Sequence, residues 1–239
     1  MKNSELASVL REQFGNQEDI STTQISDFLK SSFPDLSPRT ISWRISQMKK
    51  EKYIFQKGRG IYSFEFKPDF SIELSLKTKR LYNKIKPLCN SELCVWDTHM
   101  LNEITGAEIK KNWFFFSTAK DELDSLFNNM LDFSRNVYLH SDKETFMRYG
   151  QTQDEIIILA PLVSEIPLLK NGDYTSPTIE GILVNAWMKY DAYLKPIGYD
   201  LEQIFSKAIS NYNVNKSKLL RYAARREKRN EINDLIKTL

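Results

Sequence analysis

Ser37-Pro38-Arg39-Thr40-Ile41-Ser42-Trp43-Arg44-Ile45-Ser46-Gln47-Met48-Lys49-Lys50 is followed, after Glu51 and Lys52, by Tyr53-Ile54-Phe55-Gln56-Lys57-Gly58-Arg59-Gly60-Ile61-Tyr62-Ser63-Phe64. The first run opens with a capping serine and then proline at the first helical position, where the missing N–H is no loss. Ile41, Ile45 and Met48 recur at spacings of four and three, so the pattern predicts a helix from Pro38 to about Lys52 with one apolar face. Arg39, Thr40, Trp43, Gln47 and Lys50 point the other way. The second run is two short β-rich segments around a glycine-containing turn, which predicts a hairpin with Lys57 and Arg59 at its tip.

Upstream, Leu6, Val9 and Leu10 predict a first helix that closes at Phe14-Gly15. Ser21 or Thr22 caps a second, with Ile25, Phe28 and Leu29 on one face and an end near Phe33-Pro34. Three helices and a basic hairpin give the order of a winged helix-turn-helix over residues 1–66. A helix serves in the DNA major groove when one face is anchored in a core and the other offers donors. On that reading Arg39 and Gln47 make paired hydrogen bonds to base edges, and Lys50, Lys57 and Arg59 neutralise phosphates of double-stranded DNA. Thr40 lies on the same face, and Trp43 either stacks on DNA sugar or packs beneath the hairpin, the second being favoured.

The charge pattern agrees. Eight Lys or Arg stand against two acids from Arg39 to Lys67, and eight against three from Lys216 to Leu239. Residues 71–215 carry fifteen against nineteen. Two basic ends flanking a mildly acidic middle are the footprint of a local polyanion site, which the net charge of +3 conceals. No run approaches the roughly 18–20 apolar residues of a membrane span. The polar Met1-Lys2-Asn3-Ser4-Glu5 does not read as a signal peptide, and the expected location is the cytoplasm. Cys89 and Cys94 are the only cysteines, with four residues between them, too few ligands for a zinc site of four cysteines, which predicts half-buried thiols and no metal site.

Phe66-Lys67-Pro68-Asp69-Phe70 reads as a junction, and residues 69–239 as a second domain. Helical patterns at Leu74–Ile85 and Ala119–Phe133 alternate with β-prone runs at Glu92–Trp96, Trp113–Phe116, Val137–Leu139 and Ile156–Leu159. Such alternation predicts an α/β layer with a small covered sheet, so the fold class is α+β or α/β. The remainder reads as a helical bundle: one helix from Ser176-Pro177 through Trp187, one from about Asp200 to Tyr212, and one opened by Asn215. On the last, Lys218, Arg221 and Arg225 form a basic stripe that Arg226, Lys228 and Arg229 extend. It is either a solvated face or a surface for nucleic acid or a partner.

Catalytic signals are thin. His99 and His140 are the only histidines and read as turn or surface residues; no Gly-x-Ser-x-Gly elbow or phosphate-cradling glycine loop is present. Asp97 at a strand end, with Glu108-Ile109-Lys110 ahead of the next strand, is the one constellation of a Mg²⁺-dependent restriction-type nuclease. Its spacing is frequent by chance in a chain with 27% charged residues, so no catalysis, metal or cofactor is expected.

The plan resembles the AbiEi-type antitoxins of bacterial abortive-infection toxin–antitoxin systems. The similarity lies in Ile41-Ser42-Trp43-Arg44 and Arg59-Gly60-Ile61-Tyr62, and more specifically in three C-terminal runs. These are Ser176-Pro177-Thr178-Ile179-Glu180-Gly181-Ile182-Leu183-Val184, Asp200-Leu201-Glu202-Gln203-Ile204-Phe205 and Leu219-Leu220-Arg221-Tyr222-Ala223-Ala224-Arg225-Arg226. The resemblance implies an antitoxin-like second domain and a DNA-binding autorepressor of its own operon. It also implies a partner nucleotidyltransferase toxin, with Lys218, Arg221, Arg225 and Arg226 as the candidate antitoxin surface. The alternatives are the nuclease and a stand-alone transcription factor. One position departs from the family: Gly181 stands where lysine is usual, inside a helix where glycine costs about 1 kcal/mol relative to alanine. That means either a weakened helix or close packing.

Overall fold

The computed structural model describes Lys2–Leu239; Met1, the first residue of the polar N-terminal run, lies outside the described residues. The chain is a mixed α/β protein of two compact units, one ending at Pro68 and one spanning Asp69–Leu239, and each has its own apolar core.

The first unit runs α1 (Asn3–Phe14), β1 (Ile20–Ser21), α2 (Thr22–Ser32), α3 (Pro38–Lys50), β2 (Phe55–Gly58) and β3 (Ile61–Ser63). The strands form an antiparallel sheet in the order β1-β3-β2. Helix α2 starts in a capping box: Ser21 Oγ accepts from Gln24 N, and Gln24 Oε1 accepts from Ser21 N. Ser37 Oγ caps α3 by accepting from Thr40 N at 3.2 Å, with Pro38 in the first turn. Leu6, Leu10, Ile25, Leu29, Ile41, Ile45, Met48 and Ile54 close the core between the helices. Helix α3 stops without glycine. Lys52 takes a left-handed backbone (φ +62°) so that Tyr53 N can donate to the Met48 carbonyl at 2.9 Å.

The second unit begins α4 (Leu76–Ile85), β4 (Cys94–Asp97), α5 (Thr98–Thr105), β5 (Asn112–Thr118), α6 (Leu123–Leu131), β6 (Val137–Leu139), α7 (Lys143–Thr145) and β7 (Glu155–Pro161). Its sheet has the order β4-β5-β7-β6, with β4 antiparallel to β5 and the other pairings parallel. Trp113, Phe114, Phe115 and Phe116 register against Ile156, Ile157, Ile158 and Leu159, and all are buried, as strands covered on both faces must be. The parallel strands β5, β6 and β7 therefore end at the same edge of the sheet.

Next come β8 (Leu168–Asn171), β9 (Tyr174–Pro177), α8 (Ile179–Lys189), α9 (Leu201–Asn211), α10 (Lys216–Arg225) and α11 (Arg229–Thr238). Two expectations are corrected here. Ser176-Pro177 does not start a helix: it ends β9, which pairs with β8 across the turn Gly172–Asp173, and α8 begins only at Ile179. The basic stripe is not one helix either. Glu227 adopts φ +58° and Lys228 N donates to the Ala223 carbonyl at 2.9 Å, so α10 stops at Arg225 and the chain turns into α11.

Gly181 packs closely. A Cβ there would lie 2.8 Å from Pro177 Cβ and 3.1 Å from the Pro167 carbonyl oxygen. Helix α8 packs on α9 and α10, and α10 on α11. Cys89 and Cys94 are free and fully inside the core. Among the described residues no helix is long and apolar enough to cross a membrane.

Candidate functional site

At about 100° per residue, the direction opposite Ile41, Ile45 and Met48 on α3 falls among Arg39, Trp43, Ser46 and Lys50. All four are exposed, and Thr40 and Gln47 are half-buried at the margin of this face. Thr40 Oγ1 is 2.9 Å from Ser37 Oγ, so its hydroxyl belongs to the cap. Trp43 does not pack beneath the hairpin: it is 53% exposed, with the Arg44 guanidinium 5.2 Å from its ring centroid and Arg44 itself held by Asn3 Oδ1 at 2.8 Å. Ser46, absent from the residues expected to face DNA, sits in the middle of the face. The periodicity that selected Arg39 and Lys50 selects it too, but a lone serine carries no charge to draw notice.

The hairpin differs from expectation. Lys57 does not project from the tip. Its side chain is 8% exposed and its ammonium pairs with Glu18 Oε1 at 3.2 Å and Asp19 Oδ1 at 2.7 Å. Those acids precede β1, and the β1-β3-β2 pairing brings them beside β2, a contact across 39 residues that local sequence cannot reveal. Arg59 does stay exposed, in the two-residue turn with Gly60 at φ +72°. The Gly60 carbonyl accepts from Thr22 N at 2.8 Å and Thr22 Oγ1 at 3.1 Å, so the turn is fastened to the start of α2. Lys49 Nζ donates to Gln56 Oε1 at 3.1 Å and links α3 to β2. The unit thus offers a firmly anchored helix face with two cations, an indole and a hydroxyl, and a separate cation at the hairpin turn. Such a set can meet a polyanionic groove with charge, stacking and hydrogen bonds together.

The C-terminal basic residues are dispersed. Lys218 Nζ reaches Glu180 Oε2 at 3.2 Å, and Glu180 is itself buried while accepting from Asn215 N at 3.0 Å. That pair fastens α10 to α8. Arg225 Nε donates to Ser164 Oγ at 2.7 Å, and Arg226 turns toward a cavity beside α8. Arg221 alone of the four is exposed with no hydrogen bond or ion pair among the described residues. The structure does not bring the four into one free stripe.

Asp97 is committed structurally. Its Oδ1 accepts from Met100 N at the start of α5, and its Oδ2 accepts from the Thr78 hydroxyl at 2.5 Å. Burial raises its carboxyl above the usual range. Glu108 and Lys110 are exposed in the loop before β5, and no group of acids, histidines or cysteines able to hold a metal occurs among the described residues.

Residues 40–239 match a family model described as "Family of unknown function (DUF6577)". No curated protein and no solved structure matches the chain significantly.

Proposed function

We propose that this chain, which belongs to the DUF6577 family, binds double-stranded DNA through α3 and the β2–β3 hairpin in the manner of a winged helix-turn-helix. The biological role proposed with it is that of an antitoxin: repression of its own operon and counteraction of a nucleotidyltransferase toxin encoded beside it. The observation that carries the DNA-binding reading is the division of α3 into a core face (Ile41, Ile45, Met48) and an exposed face (Arg39, Trp43, Ser46, Lys50). The antitoxin role is supported by the resemblance of the C-terminal runs alone.

The interface is Arg39, Trp43, Ser46, Lys50 and Arg59, with Gln47 and Thr40 at its margin. Lys57 is left out because it is occupied by Glu18 and Asp19. Fluorescence anisotropy on DNA from the chain's own upstream region tests this. Arg39→Ala should reduce discrimination between sequences by about 1–3 kcal/mol, the worth of a bidentate contact to a base. Arg59→Glu should weaken all sequences alike and flatten the dependence on salt. Wild-type affinity and salt slope in both variants would remove this surface from any DNA interface.

A further inference from the structure

At the edge where β5, β6 and β7 all end lies a cavity of about 40 Å³. Ser117 comes from the end of β5, His140 follows β6, Asn185 and Lys189 come from α8, Tyr222 comes from α10, and Arg226 directly follows it. Ligands of open parallel sheets sit outside the carboxyl ends of the strands, where this cavity is.

Its electrostatics are one-sided, for no Asp or Glu lines it. Lys189 is 6% exposed, yet no hydrogen bond or ion pair satisfies its ammonium among the described residues; the rings of Phe115 and Tyr193 lie 5.4 Å and 5.7 Å from it. A buried cation without an anion is costly, so structures seldom leave one unpaired. Arg226 faces the same space, and Lys143 on α7 adds to its positive field. Burial first, and then those two cations, lower the Lys189 ammonium to about 7. The same causes hold His140 neutral, with its Nδ1 3.0 Å from the Tyr193 hydroxyl. Lys189 itself stands where α8 gives way to the π-helical turn Tyr190–Leu194, a distortion frequent at functional sites.

Size and charge narrow the occupant. A space of about 40 Å³ holds an oxyanion head or a few waters and excludes a base or sugar ring. Two cations and no acid favour a dianion over a carboxylate, and Arg226 supplies the planar donor pair that fits a phosphoryl group. We propose that the cavity at the ends of β5, β6 and β7 binds the phosphoryl head of a phosphate monoester between Lys189 and Arg226, the rest of the ligand lying outside. The site lies wholly within the second unit and does not depend on the DNA-binding proposal.

Isothermal titration of the full chain tests it, with adenosine 5′-monophosphate, inorganic phosphate and acetate as probes at millimolar concentration. The two phosphates should bind and acetate should not. Tighter binding of the nucleotide identifies an esterified ligand; equal binding identifies free phosphate as sufficient, and either supports the site. Binding near pH 8 should take up a proton, read from titrations in two buffers of different ionisation enthalpy, because the dianion draws Lys189 back to its charged form. Lys189→Met should abolish the uptake and weaken phosphate at least tenfold, without lowering the thermal midpoint, since it replaces a buried charge by an apolar chain. Arg226→Gln, at the more open side, should give the same weakening. Absence of phosphate binding, wild-type affinity in both variants, or acetate bound as tightly as phosphate would overturn the proposal.

Discussion

Burial first, and then the charges of Lys189, Lys143 and Arg226, lower the His140 imidazole from 6.5 to about 3. In the unfolded chain the same group takes up its proton as the pH falls through 6.5; in the folded chain it stays neutral until about 3. The unfolded state therefore binds more protons across that window, and stability contributed by neutral His140 is complete above pH 6.5 and lost progressively toward pH 3. Urea midpoints measured at intervals between pH 7 and 5 should fall with acidification, and His140→Gln should remove much of that slope. Identical slopes in the two proteins would show that the imidazole is not kept neutral. Neither this behaviour nor the burial of Lys189 is legible in the sequence, where His140 reads as a turn or surface residue and nothing marks Lys189. Both follow from tertiary neighbours: Tyr193 meets His140 across 53 residues, and Phe115 and Arg226, distant in the chain, come beside Lys189 only after the sheet and helices pack.

Helices and strands with strong periodicity are the legible part. Pro38–Lys50, Trp113–Phe116 and Ile156–Leu159 are each announced by their apolar spacing and caps, and each is found within a few residues of its expected bounds. Differences arise where an element ends without the usual marker or where two markers conflict. Lys52 and Glu227 stop α3 and α10 in left-handed conformations that glycine normally supplies, so the break before α11 leaves no trace in composition. The β8–β9 hairpin does leave one, Gly172-Asp173, a recognised two-residue turn pair masked by the proline that follows in β9. Gly181 belongs to this scale because it lets α8 press against that hairpin. Replacing it with alanine adds about 1 kcal/mol of helix propensity but drives a Cβ to 2.8 Å from Pro177 Cβ. Overpacking against a rigid ring and a backbone carbonyl costs roughly 1–3 kcal/mol. Gly181→Ala should accordingly lower the thermal midpoint, as followed by circular dichroism; a raised midpoint would mean that the hairpin yields freely.

On the scale of the whole molecule, the two apolar cores have no residue in common. A fragment from Asp69 to Leu239 should therefore fold on its own, with a cooperative urea transition and the near-ultraviolet signature of buried Trp96 and Trp113. It should not bind DNA, since α3 and the hairpin are gone. Expressed with the proposed toxin, it should restore growth if neutralisation resides in this unit, and Arg221, the member of the dispersed basic set that is exposed with no hydrogen bond or ion pair among the described residues, is the first residue to reverse in charge. A non-cooperative fragment would show that residues before Pro68 complete its core.

The strand order β4-β5-β7-β6 has a consequence for synthesis on the ribosome. Chains emerge from the N-terminus at about 5–20 residues per second, so β6 leaves the tunnel before β7, the strand it pairs with. Until Glu155–Pro161 follows, β6 has no place in the sheet and one edge of the aromatic strand β5 stays unsealed. Insertion of β7 between them closes both gaps in one event. A nascent chain stalled short of Glu155 thus exposes Trp113–Phe116 as an adhesive edge, the state from which aggregation or chaperone capture would begin.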